Sequence, residues 1–248
     1  KSLRAHGIPM ILSNISKDIH FAAKRFDPEY AGTAAENMWR FSSDTLSHFM
    51  DGDHLIHEVI TADNRFFPQT LGDHINPGHS IEDAWFMLDS AEINGHSESF
   101  ADIFQMVLST LDAGWDEQYG GILHFASVRG GEPDGDNSGF ETEPMSVQLS
   151  GWGDKLWWPH SEALYTTLRC YAQSGDARFL DWHEKVFNYA YSTFPNTDPN
   201  IREWVQIRER SGDACEKVVA LPVKDPYHIM RNLILIIELL YKIAAGEQ

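Results

Sequence analysis

Apolar residues recur along this chain in a helical rhythm that restarts at prolines. Ile81, Ala84, Trp85 and Leu88 fall at helical spacing after Pro77, and Ala163, Leu164, Leu168 and Tyr171 do so after Pro159. Pro9 opens a third run, Pro9-Met10-Ile11-Leu12, and Pro226 a fourth, so starts lie at 9, 77, 159 and 226. Their spacings are 68, 82 and 67 residues. The long interval contains Ser127–Gly151, rich in Gly, Asp, Glu and Ser, which reads as a loop inserted into a repeat of about 67 residues. Proline is favoured at the first helical position, where its missing N–H would be unpaired in any case. Asn76 and Asp225 precede two of the prolines and are good N-caps.

Each unit reads alike. A Pro-led helix is followed by a returning helix, near residues 31–50, 98–113 and 177–194, and then by an extended pair at Leu55–Ile60, Gly121–Val128 or Glu203–Arg208. A last helix, His228–Ala244, has no return partner. The expectation is one domain over residues 1–248: about seven helices in α-hairpins, with short β-hairpins at one end and first helices inside, an incomplete α/α toroid. The alternative is an ordinary helical solenoid in which the prolines only start helices.

The composition, 42% hydrophobic, suits one large helical domain. The formal charge of −18 repels phosphate backbones and anionic bilayers, so neither nucleic acid nor membrane is an expected partner. No apolar run is long enough to span a bilayer; Leu233–Leu240 is too short. Cys170 and Cys215 lack metal spacing and read as free thiols of a reducing, cytoplasmic compartment. Eight tryptophans could stack on sugar faces, but core packing is the better reading of any single one.

The helix starts carry histidines: Pro77-Gly78-His79, Pro159-His160 and Pro226-Tyr227-His228. In the first turn of a helix the macrodipole disfavours imidazolium and keeps the ring ready to accept a proton. Two such rings facing one cavity would form a proton-transfer pair. His79 and Glu82 are i, i+3 and share a face, so the carboxylate can orient the imidazole, or the two form a surface ion pair. His160 and Glu162 are i, i+2, so only one of them can point straight into a cavity. No H-E-x-x-H or C-x-x-C motif is present, and no catalytic metal is expected. Paired carboxylates for glycoside hydrolysis (Asp116, Glu117, Glu162) are another use of such a scaffold, but spacing in a sequence does not give a carboxylate separation.

Five ordered segments, Pro9-Met10-Ile11-Leu12-Ser13-Asn14, Asn76-Pro77-Gly78-His79-Ser80-Ile81-Glu82, Trp115-Asp116-Glu117-Gln118-Tyr119-Gly120-Gly121-Ile122, Lys155-Leu156-Trp157-Trp158-Pro159-His160-Ser161-Glu162-Ala163 and Pro226-Tyr227-His228-Ile229-Met230-Arg231, together resemble the N-acylglucosamine 2-epimerase family, whose relatives include cellobiose 2-epimerases. The resemblance implies an (α/α)6 toroid and epimerisation of a sugar at C2 by proton abstraction and return. It places the acid/base histidines at His79 and His228, with Glu82 supporting His79. It places Met10, Asn14, Trp157, Trp158, His160, Glu162 and Arg231 around the sugar. No cofactor is implied for the chemistry, although part of the family responds to a nucleotide effector. The chain begins in what resembles the family's middle, so the opening hairpins and their site arginine have no counterpart, and a homodimer or a separate N-terminal segment is an expected partner. Where the family has an aromatic residue five positions before the last histidine, this chain has Val223. Aldose–ketose isomerisation on the same scaffold, and a non-catalytic protein-binding role, stand as alternatives to epimerisation.

Overall fold

The computed structural model describes residues 2–201, 203–215 and 227–246. Asp225, Pro226 and Val223, which entered the sequence reading, lie outside the described residues.

Three units repeat one path. Strand β1 (Leu3–Ala5) leads into α1 (Gly7–Phe26), α2 (Pro28–Asp44) returns and ends in a π-helical turn at Thr45–Phe49, and β2 (Val59–Thr61) pairs antiparallel with β1. In the next unit β3 (His74–Ile75) leads into α3 (Pro77–Asn94), α4 (Phe100–Gly114) returns, and β4 (Ala126–Ser127) pairs with β3. After an insertion carrying the five-residue α5 (Pro144–Gln148), β5 (Lys155–Leu156) leads into α6 (Trp157–Ser174), α7 (Ala177–Thr193) returns, and β6 (Ile207–Arg208) pairs with β5. The last helix, α8 (Tyr227–Ala245), packs on α6. Among the described residues the seven long helices match the expected count; α5 is an addition within the Ser127–Gly151 insertion.

The extended segments pair differently from the expected local hairpins. Each return loop closes with one bridge, Met50 to Ile56, Trp115 to Ile122 and Pro195 to Trp204. The chain then pairs with the strand ahead of its own first helix. Each unit is thereby stapled at the end where its first helix starts, which fixes the histidine-bearing turns relative to one another.

The helix starts also need adjustment. Pro77 is the first residue of α3, and the Asn76 side chain caps it by accepting from the His79 N–H at 3.2 Å. Pro9 and Pro159 instead sit third in α1 and α6, still within the first turn, where the backbone N–H has no helical partner. At the other end, α3 and α6 both stop at a left-handed glycine, Gly95 (φ 78°) and Gly175 (φ 69°), a conformation that costs other residues a Cβ clash.

Burial separates the two sorts of helix. α3 and α6 are buried on nearly every side, whereas α4 and α7 are amphipathic and cover them from outside. The main core joins Ile81, Ala84, Met87 and Leu88 of α3 to Ile103, Val107 and Leu111 of α4, and to Ala163, Leu164, Phe179 and Val186 of the third unit. The first helices α1, α3, α6 and α8 pack side by side in that order, so their starts gather at one end of the molecule. No described helix is long and apolar enough to cross a membrane, and both cysteines are free thiols.

Candidate active site

A cavity of about 550 Å³ opens where the helix starts converge. Met10, Ile11 and Asn14 of α1, His79, Glu82 and Phe86 of α3, Trp158 of α6, and Tyr227 and His228 of α8 line it. The β4 side adds His124 and Phe125, and the insertion adds Met145 and Gln148 from α5.

His79 and His228 share this cavity and one aromatic neighbour. The Trp158 ring centroid is 5.6 Å from that of His79 and 5.1 Å from that of His228. Trp158 reaches this position because residue 78 is glycine: a Cβ there would lie 2.4 Å from the indole.

Each imidazole rests its Nδ1 on a buried carboxylate. His228 Nδ1 donates to Glu162 Oε1 at 2.7 Å, and Arg231 donates to the same oxygen at 2.5 Å. The second Glu162 oxygen accepts from the Trp85 indole N–H at 3.0 Å. His79 Nδ1 lies 3.0 Å from Glu58 Oε1. Burial alone would raise the Glu58 pKa, but His79 and His6 outweigh it and hold this carboxyl well below the usual range. An ionised carboxylate only accepts, so His79 Nδ1 carries a hydrogen, and in the neutral ring Nε2 is then the atom with the lone pair.

Glu58 therefore takes the place expected of Glu82. Although His79 and Glu82 are i, i+3, the Glu82 carboxylate turns toward α8, accepting from Arg231 at 3.2 Å and approaching His228 Nδ1 at 3.8 Å. Burial pushes the Glu82 carboxyl up, the neighbouring Glu162 charge pushes it further, and His228, Arg231 and His79 offset part of this, leaving it at about 7. Glu82 can thus hold or release a proton near neutrality.

The other expected residues divide. Met10, Asn14 and Trp158 face the cavity, and Asn14 donates to the Tyr227 hydroxyl at 2.6 Å. Glu162 and Arg231 lie behind the wall, where they hold His228. Trp157 packs into a separate cluster with Leu156, Ala190 and Phe194 rather than lining the cavity. His160 is fully buried: its Nδ1 donates to the Leu156 carbonyl at 2.7 Å, and its Nε2 accepts the Ile122 N–H at 2.9 Å. With both nitrogens engaged by backbone, and its pKa lowered to about 3 chiefly by burial, it is a neutral strut between α6 and the return loop of the second unit. Asp116 is held by Lys155 and Arg210, both at close range, and belongs to that loop's framework.

Sequence reading missed Glu58, His6, Asp83 and His124. His6 Nε2 is 2.8 Å from Asp83, and its Nδ1 faces Glu58 at 3.6 Å. His124 stacks on Phe125 with ring centroids 3.9 Å apart, and burial lowers its pKa to about 4. Glu58 did leave a signal, because a glutamate inside Leu55-Ile56-His57-Glu58-Val59-Ile60 is a charge in an apolar run, and such charges persist when paired. Two sets of donor atoms, from His6, Glu58 and His79 and from Glu82, Glu162 and His228, each lie within 4.8 Å of one another; the contacts just described pair their members.

The architecture is that of the α/α toroid sugar epimerases and isomerases. Over 95% of the chain it superposes on a sugar epimerase from a ruminal bacterium (TM-score 0.72, 15% identity, 54% of that chain). Over 96% it superposes on a D-mannose isomerase (TM-score 0.69, 15% identity, 57% of that chain). Residues 8–232 match the N-acylglucosamine 2-epimerase (GlcNAc 2-epimerase) family, and the chain belongs to it. It is 31% identical to the N-acylglucosamine 2-epimerase of Bos taurus over 234 residues, which are 94% of this chain and 51% of the bovine protein. The human protein of the same name gives 31% identity over 94% of this chain and 50% of its own length. The chain thus spans about half the length of these curated relatives.

Proposed function

We propose that this chain carries the acid/base machinery of a sugar 2-epimerase of the N-acylglucosamine/N-acylmannosamine type. One observation carries the reading: two imidazoles, each with Nδ1 on a buried carboxylate, line one cavity against one indole. The C2 proton of an open-chain aldose is weakly acidic. One imidazole takes it on a ring nitrogen while negative charge develops on the carbonyl oxygen. The other returns a proton to the opposite face, inverting C2. General acid–base catalysis of this kind is most effective with groups that titrate near the working pH. Glu82, at about 7, is placed to move a proton when the sugar ring opens. Trp158 offers a ring face for the sugar, and Met10 and Asn14 contact it from α1. Every step is a proton transfer, so side chains supply the chemistry without a cofactor.

Incubation with N-acetylmannosamine in deuterated water tests the reading. Deuterium at C2 of recovered substrate and of its epimer is the expected result; absence of label overturns it. A ketose in place of the C2 epimer would assign aldose–ketose isomerisation to the same base. A stable complex formed by an inert chain would assign the protein-binding role. His228→Ala should slow the exchange by ~10²–10⁴-fold. A loss below tenfold would make His228 a packing residue.

A further inference from the structure

The family resemblance assigns His79 a partner on its own helix, Glu82. The described contacts instead join His79 to a buried chain of charges crossing three elements. Glu58, next to β2, contacts His79 at the start of α3. His6, the residue ahead of α1, lies between Glu58 and Asp83, one turn further along α3. His6 and Asp83 are fully buried and Glu58 is 2% exposed. Carboxylates at such positions persist only when paired.

The remaining atoms are informative. His6 Nδ1 and Glu58 Oε2 face each other at 3.6 Å without a hydrogen bond, whereas His6 Nε2 is bonded to Asp83 and Glu58 Oε1 to His79. Glu58 therefore makes its one described side-chain hydrogen bond to His79, and the charge of His6 holds it there. Burial alone would lower the His6 pKa, but the hydrogen bond to Asp83 and the close carboxylates of Asp83 and Glu58 lift it to about 9. His6 is then a cation at neutral pH, balancing one of the two carboxylates. Near this group stand His74 of β3 and His124 beyond the second return loop, and burial lowers the pKa of both. His79 completes the set of titratable groups facing Glu58.

We propose that Glu58, clamped by His6 and Asp83, is the positioning residue of His79. It locks the ring with Nδ1 protonated and leaves Nε2 as the proton acceptor, while Glu82 serves the His228 side. The proposal rests on the reading of His79 as an acid/base residue, and its test separates the two.

The test compares the full chain with Glu58→Gln and Asp83→Asn. Nitrogen-15 NMR of the imidazoles reads the His79 tautomer without substrate, and exchange at C2 in deuterated water reads turnover. In the parent, His79 should be a single Nδ1–H tautomer. Glu58→Gln should mix the tautomers and lower kcat about tenfold or more with KM little changed, the signature of lost transition-state stabilisation. Asp83→Asn should do the same more weakly, since it acts through His6. Glu58→Asp, which keeps the charge, should recover part of both readouts. A Glu58→Gln protein that melts cooperatively, keeps one His79 tautomer and turns over normally would overturn the proposal. If Glu58→Gln does not fold, unchanged tautomer and kcat in both Glu58→Asp and Asp83→Asn would overturn it. A parent that shows the single tautomer but no exchange would sink the epimerase reading and leave the hold of Glu58 on His79 standing.

Discussion

The two histidine arms of the cavity solve one problem with different cations. On the α8 side, Glu162 receives His228 and is neutralised by Arg231, with the Trp85 indole on its other oxygen. On the α3 side, Glu58 receives His79 and is neutralised by the His6 imidazolium, which shares its charge with Asp83. A guanidinium keeps its charge at every accessible pH, whereas an imidazolium does not. The arms should therefore be equally well oriented near neutrality and diverge in alkali. The difference shows that two sites with the same local chemistry can have different pH tolerance, set one contact further out.

Breaking the Arg231 arm should have the largest effect. Glu162→Gln leaves a half-buried guanidinium short of an anion beside a raised Glu82, and removing one partner of a buried ion pair costs about 3–5 kcal/mol. Urea unfolding should show a loss of this size, with kcat falling alongside. A loss under about 1 kcal/mol would mean that Glu82 takes over the guanidinium and that the arm is redundant.

The alkaline limb sharpens the contrast. His6 has a raised folded-state pKa, so its contribution to stability is complete below its unfolded value of 6.5 and is lost as pH rises toward about 9. The shift corresponds to on the order of 3 kcal/mol. Glu82, raised from 4.5 to about 7, works with the same sign in a lower window. There it is opposed by His160 and His124, whose lowered values make stability rise with pH up to 6.5. The diagnostic change is therefore the alkaline decline of unfolding free energy between pH 6.5 and 9, which His6→Asn should remove. A decline that survives in His6→Asn would assign it to another group.

The smallest effect is expected where the arms meet. Gly78→Ala places a Cβ 2.4 Å from the Trp158 indole, and overpacking of this kind costs about 1–3 kcal/mol. The indole touches both imidazoles, so exchange at C2 should slow and KM should rise with only a modest drop in melting temperature. Unchanged kinetics would show that the indole has room to shift.

Much of the scaffold was legible because periodicity is a local property. Apolar residues at helical spacing, prolines in first turns and glycines at helix ends are each decided within a few residues, and they gave seven long helices, the repeat and the insertion. The same locality placed His79 and His228 at helix starts that share one end of the molecule. What the sequence could not decide was which carboxylate meets which imidazole. Glu82 is three residues from His79 but bends to Arg231, 149 positions away, whereas Glu58 reaches His79 across 21 positions. His160 shares the layout of the other two histidines, yet its nitrogens are taken by Leu156 and Ile122 and it leaves the cavity. Trp157 and Trp158 are adjacent, and helical rotation sends one into the core and the other to the wall. Side-chain pairing between elements depends on how the units are stapled, and each staple joins strands more than fifty residues apart. The pattern of residues determined the elements and their order; the burial of charges, which must find partners wherever the packed chain brings them, decided the site.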